Sequence, residues 1–151
     1  MSWIVLCSVL LATACASSDV APLPADGLLP LGNWGGENAG LIVSDTASHL
    51  HVGCTFGDIS GRVRLDATGG FSADGSFMLH AYPVSIGPSV PAHFAGRLVG
   101  TTITVTATVN DTVAHQIVVK GPVIVSLDAE MKLGPCPICR RPIITRTPRR
   151  T

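Results

Sequence analysis

Between residues 101 and 109 the chain alternates without a break. Ile103, Val105, Ala107 and Val109 take every second position, and Thr102, Thr104, Thr106 and Thr108 fill the positions between them. Successive side chains of an extended strand point to opposite faces, so this period of two gathers the apolar set on one face, and β-branched residues suit a pleated surface. The same period recurs through the body of the chain, and no window carries the 3.6-residue period of an amphipathic helix. Ile59, Val63 and Leu65 oppose Arg62, Arg64 and Asp66, with Gly61 as a bulge or close approach between them. Leu50, Val52 and Cys54 oppose His49 and His51 in the same way. Further strands are expected over residues 31–34, 40–44, 75–82, 93–99, 113–120 and 123–131, which makes about nine short strands.

The links between these runs are short and rich in turn-forming residues: Asp45-Thr46-Ala47, Asp66-Ala67-Thr68-Gly69-Gly70, Ala73-Asp74-Gly75, Val99-Gly100, Asn110-Asp111 and Gly121-Pro122. Short links join antiparallel neighbours. A meander of this kind must protect its edge strands, and closing the sheet on itself does so without helices. The expected fold is therefore all-β: a single up-and-down antiparallel meander of about eight to nine strands closed into a barrel, with a two-sheet sandwich as the alternative. Only residues 83–91 (PVSIGPSVP) leave room for an excursion, and the prolines there bar a central strand. A barrel of about eight strands either fills its interior with side chains or holds one small ligand.

A hydrophobic fraction of 46% with 13% charged residues excludes a disordered chain, and 151 residues suit one domain. The first fifteen residues read as a secretory signal. Their apolar run, residues 3–12 (WIVLCSVLLA), has the length of a signal-peptide core and falls short of the roughly 20 residues that span a membrane. It ends in Leu11-Ala12-Thr13-Ala14-Cys15, which resembles the bacterial lipobox and makes Cys15 the expected lipidated residue and membrane anchor. Ordinary signal cleavage after Ala14 or Ala16 is the alternative, giving a periplasmic or secreted protein. Residues 16–30 have the Ser, Pro and Gly composition of a tether, residues 31–139 form the domain, and residues 140–151 form a basic, disordered tail. That tail holds five of the ten basic residues, leaving five basic against ten acidic residues in the rest of the chain. An acidic body with few aromatics argues against a nucleic-acid-binding domain.

Three cysteines lie beyond the signal: Cys54, Cys136 and Cys139. In an oxidising envelope the expected bridge joins Cys54 to Cys136, with Cys139 as the alternative partner, and so ties the end of the chain back to the sheet. A local pair within Cys136-Pro137-Ile138-Cys139 is the competing arrangement and would have redox character. His49 and His51 with these cysteines could also supply zinc ligands. On a strand, however, the two histidines and Cys54 face opposite ways, so no metal site is assigned. The chain has no G-x-S-x-G elbow, no H-E-x-x-H pair and no phosphate-binding loop, and no catalytic residue or cofactor is expected. An enzymatic alternative would place His49 or His51 near Asp58 in a cleft.

Gly32-Asn33-Trp34 is similar to the G-x-W opening of lipocalins and avidins, in which the tryptophan plugs one end of an up-and-down barrel. Trp34-Gly35-Gly36-Glu37-Asn38, Cys54, the turn from Leu65 to Phe71, Gly96-Arg97-Leu98-Val99-Gly100 and a late cysteine look like a group of small bacterial exported proteins. That resemblance implies no activity. The resulting expectation is a non-catalytic envelope module that binds a small ligand or an envelope protein, with Trp34, Phe77, Tyr82 and Phe94 as candidate ligand-lining residues. A purely structural surface protein is the alternative, followed by a metal or redox protein using Cys136 and Cys139.

Overall fold

The computed structural model describes residues 22–80 and 87–136. Cys15 and the signal, Tyr82, Cys139 and the basic tail lie outside them. Eight strands follow one another: β1 (Gly32–Gly36), β2 (Ala39–Val43), β3 (Ala47–Val52), β4 (Thr55–Ser60), β5 (Gly70–Met78), β6 (Val90–Val99), β7 (Thr102–Asp111) and β8 (Gln116–Leu127). Each pairs antiparallel with the next, and β1 pairs with β8 through Trp34↔Leu127 and Gly35↔Ser126, so the meander closes into a barrel and not a sandwich. Among the described residues there is no helix.

The alternation read from the sequence decides what lies inside. Ile103, Val105, Ala107 and Val109 are all buried, as are Leu41, Leu50, Ile59, Phe77 and Phe94 on the facing walls. Leu29, which the composition of residues 16–30 places in the tether, is 1% exposed and belongs to this core. Its amide donates to the Val63 carbonyl at 2.8 Å, and Leu28 bridges Arg64.

Several local expectations give way to sheet pairing. Ala73-Asp74-Gly75 has turn composition but lies in the middle of β5, opposite Phe94, His93 and Ala92. Pairing along β6 outweighs local turn preference here. Gly121-Pro122 is likewise no hairpin turn. It is a bulge within the single strand β8, where the register passes from Ala107↔Lys120 to Val105↔Val123. Gly121 supplies the positive φ of 96°, and proline, which has no N–H to give the ladder, is at home in a bulge. The expected strands 113–120 and 123–131 are thus one strand, and the adjoining hairpin turn falls at residues 112–115 and not at Asn110-Asp111. Cys54 sits in the β3–β4 turn and not in a strand, and β4 stops at Ser60, although Val63 and Leu65 still pack in the core. Val90 and Pro91, placed in the excursion by the sequence, begin β6.

After β8 the chain turns back as a strap over the outer face of the β1–β2 hairpin. Lys132 donates its amide to the Gly36 carbonyl at 3.1 Å and accepts from the Asn38 amide at 2.9 Å. Gly35 and Gly40 are cross-strand partners beneath the strap. A Cβ at Gly35 would strike the Ala129 and Glu130 backbone, and one at Gly40 would strike the Met131 side chain. At Gly35, where the obstacle is backbone, only glycine lets the strap lie this close.

At the end of β7, Asp111 is buried, and its carboxylate accepts from the amides of Val113 at 3.1 Å and Ala114 at 3.0 Å. Bonds to the ionised form, foremost that from Ala114, hold its pKa below the usual carboxylate value. A carboxylate with a depressed folded-state pKa stabilises the fold above its unfolded value of about 3.9 and loses that contribution as pH falls through the folded value. Below about pH 4, wild-type protein is therefore expected to lose stability more steeply than Asp111→Asn. Urea midpoints at stepped pH check this; parallel curves would contradict it.

Candidate functional site

The barrel interior is filled. Trp34, Phe77 and Phe94 are each 0% exposed. The Phe77 and Phe94 rings lie with centroids 6.3 Å apart, and the Trp34 indole N–H donates to the Pro30 carbonyl at 3.4 Å. Among the described residues these three side chains pack the core, with no ligand-sized chamber beside them. The void left among Leu29, Leu41, Ser48, Leu50, Phe71 and Phe94 measures about 10 Å³. That is at most the space of one water molecule.

Ser48 is 1% exposed, and its hydroxyl has no hydrogen-bond partner. A buried hydroxyl without a partner costs free energy. Ser48→Ala is expected to raise stability by about 1 kcal/mol, measured as a higher denaturant midpoint at unchanged slope. A loss of stability would show that the hydroxyl is satisfied in solution.

Cys54 and Cys136 form a disulfide, with Cα atoms 5.3 Å apart and a sequence separation of 82 residues. The local Cys136–Cys139 pair is therefore not the one formed. With its sulfur in a disulfide, neither Cys54 nor Cys136 is a thiolate, and the mixed cysteine–histidine zinc set fails on donor chemistry.

The best-organised polar cluster lies on the outer wall of β3 and β4. Because Ser48 and Leu50 point into the core, the period of two turns His49 and His51 outward, where the register sets them opposite Asp58 and Phe56. A carboxylate can only accept, so His49 Nδ1–H donates to Asp58 Oδ1 at 2.5 Å, leaving His49 Nε2 with a bare lone pair. That lone pair faces His51 Nε2 at 2.9 Å. The imidazoles meet edge-on with centroids 4.6 Å apart, and the Phe56 ring flanks both, at 5.2 Å from His49 and 5.9 Å from His51. Burial lowers the pKa of His51 below the usual histidine value, His49 pushes the same way and Asp58 opposes them. His51 Nδ1 is buried and has no partner. On the neighbouring strand the Met131 side chain covers Gly40, the cross-strand partner of His51.

A second polar series lies two strands away and is invisible to motif reading. Asp74 on β5 is directly opposite His93 on β6, with Ser72 two residues along. Ser72 Oγ–H donates to His93 Nε2 at 2.9 Å, and His93 Nδ1–H donates to Asp74 Oδ1 at 2.7 Å. The connectivity is that of a Ser-His-Asp relay, but the Asp74 side chain is 91% exposed and that of His93 50%. A relay that activates serine depends on a buried aspartate and a site shielded from water. In this open setting the series acts as a cross-strand polar ladder.

Comparisons with protein families, with curated proteins and with solved structures return no match. The functional reading therefore rests on the geometry of this chain.

Proposed function

We propose that this chain is an exported envelope module, anchored through Cys15, that works through its outer wall by binding an extended segment of a partner protein and carries out no reaction. The filled interior argues against a small ligand held inside the barrel. One observation carries the positive reading: β1 pairs with β8 only at Ser126 and Leu127, so residues 116–120 of β8 pair with β7 on one side and, among the described residues, with no strand on the other. This free edge carries Ile117 and Val119, exposed at 63% and 59%. Edges of natural sheets are usually shortened, charged, bulged or covered; here Lys120 and the Gly121-Pro122 bulge lie at one end, and residues 116–119 carry no such protection. An apolar, unpaired edge suits strand addition, with main-chain hydrogen bonds giving affinity and alternate side chains giving selectivity. The Cys15 anchor and the tether that follows would hold the barrel within reach of neighbouring envelope proteins.

A photo-crosslinking residue at Val119 in cells is expected to give a product of discrete mass that Ile117→Lys abolishes, while the same probe at Ala95 on β6 gives none. Equal labelling from both positions, or none from Val119, would overturn the proposal and leave the structural role.

A further inference from the structure

We propose that His49 and His51 form a surface binding site for a divalent transition-metal ion, copper(II) foremost, which the two Nε2 atoms ligate side by side. The i, i+2 spacing on β3 puts both imidazoles on one face, and the Nε2 atoms already converge to 2.9 Å. Asp58 accepts from His49 Nδ1–H and so fixes the tautomer that leaves Nε2 free. A carboxylate behind a histidine in this way is the usual outer partner of a metal-bound imidazole, orienting the ring and raising its basicity. Phe56 packs against both rings and limits the freedom they would lose on binding.

The nitrogen donors also rank the metals. Two nitrogens 2.9 Å apart, each about 2.0–2.1 Å from an ion, subtend roughly 90° at it. The pair can therefore take two cis positions of a tetragonal ion, while a small rotation of the rings also reaches the about 3.3–3.4 Å of tetrahedral neighbours. Copper(II) prefers the tetragonal geometry and binds nitrogen ligands most strongly among the divalent first-row metals. Among the described residues no group of three or more His, Cys, Asp and Glu side chains forms a metal site, so water fills the remaining positions. Without metal, one Nε2 must carry a proton toward the other, and His51 supplies it. Binding moves that proton to His51 Nδ1, which is buried without an acceptor, a cost that the metal bond offsets.

Titration of the full chain, without a histidine tag, with copper(II) is expected to show one site whose electron paramagnetic resonance spectrum carries coupling to two equivalent imidazole nitrogens. His49→Gln and His51→Gln should each weaken binding at least tenfold and remove the two-nitrogen pattern. Asp58→Asn should weaken it about 10- to 100-fold while keeping both nitrogens, and His93→Gln should leave it unchanged. Zinc should bind at least tenfold more weakly than copper. All four side chains lie on the outer wall, and circular dichroism confirms that each variant folds. Unchanged copper affinity in the His49→Gln/His51→Gln double variant would mean an adventitious ion only and overturn the proposal, as would a single-nitrogen spectrum in the wild type or zinc binding tighter than copper.

Discussion

Replacing Cys54 with Ser, in a Cys139→Ser background that prevents exchange, is expected to lower the stability of the barrel by about 4–5 kcal/mol. The bridge spans 82 residues of sequence and so closes most of the domain into one loop. In the chain-entropy account, a loop of that length removes about 4.5 kcal/mol worth of freedom from the unfolded chain. A domain of this size has roughly 5–15 kcal/mol in total, so the loss would take a large share. Without the bridge, the strap is held by the hydrogen bonds of Asp128 and Lys132 to β1 and the β1–β2 turn, by the contact of Ala129 and Glu130 with Gly35 and by the packing of Met131 over Gly40. Reduced wild-type protein should therefore unfold at the denaturant midpoint of the variant. A shift worth less than 1 kcal/mol, or a reduced wild type that matches the oxidised form, would show that the strap contributes little or that the unfolded chain stays compact.

Trp34→Ala should cost about 3–5 kcal/mol, the range for deleting a large aromatic from a packed core. The effect should lie near the top of that range, because Trp34 stands where the barrel closes. It pairs with Leu41 on β2 and with Leu127 on β8, and β8 reaches β1 at only one other residue pair. A cavity there removes packing from the seam itself. Trp34→Phe should recover part of the loss, and thermal unfolding followed by circular dichroism distinguishes the two. Equal melting temperatures for Trp34→Ala and wild type would mean that the seam is held by the strap and the disulfide alone.

The candidate site was legible in one respect and hidden in others. That His49 and His51 share a face follows from their spacing of two, and Asp58 stood out as an acidic neighbour in the sequence. That Asp58 faces His49 required the β3–β4 register, which depends on where the Gly53-Cys54 turn falls. The Ser72–His93–Asp74 series was beyond reach, because Ala73-Asp74-Gly75 reads locally as a turn and only pairing with β6 makes it strand. The aromatic residues were ambiguous for a related reason: Trp34, Phe77 and Phe94 have the composition of a ligand pocket and of a core alike. Whether they line or fill a space depends on how closely opposite walls approach.

The sequence by itself determined the all-β class, the inward and outward faces of the strands and the antiparallel order, because strand periodicity and short turns are local properties written residue by residue. It also pointed to a bridge from Cys54 to Cys136 or Cys139, since a cysteine in the sheet region and one after the last strand make a long-range bridge worthwhile, and the structure joins Cys136. Tertiary structure alone decided that the interior is full, that Gly121-Pro122 is a bulge in one long strand, that a strap crosses Gly35 and Gly40, and that among the described residues β8 outruns β1. Each of these depends on register and on the fit between residues far apart in the chain, where the free energy of pairing and packing exceeds the weak local preferences that a sequence displays.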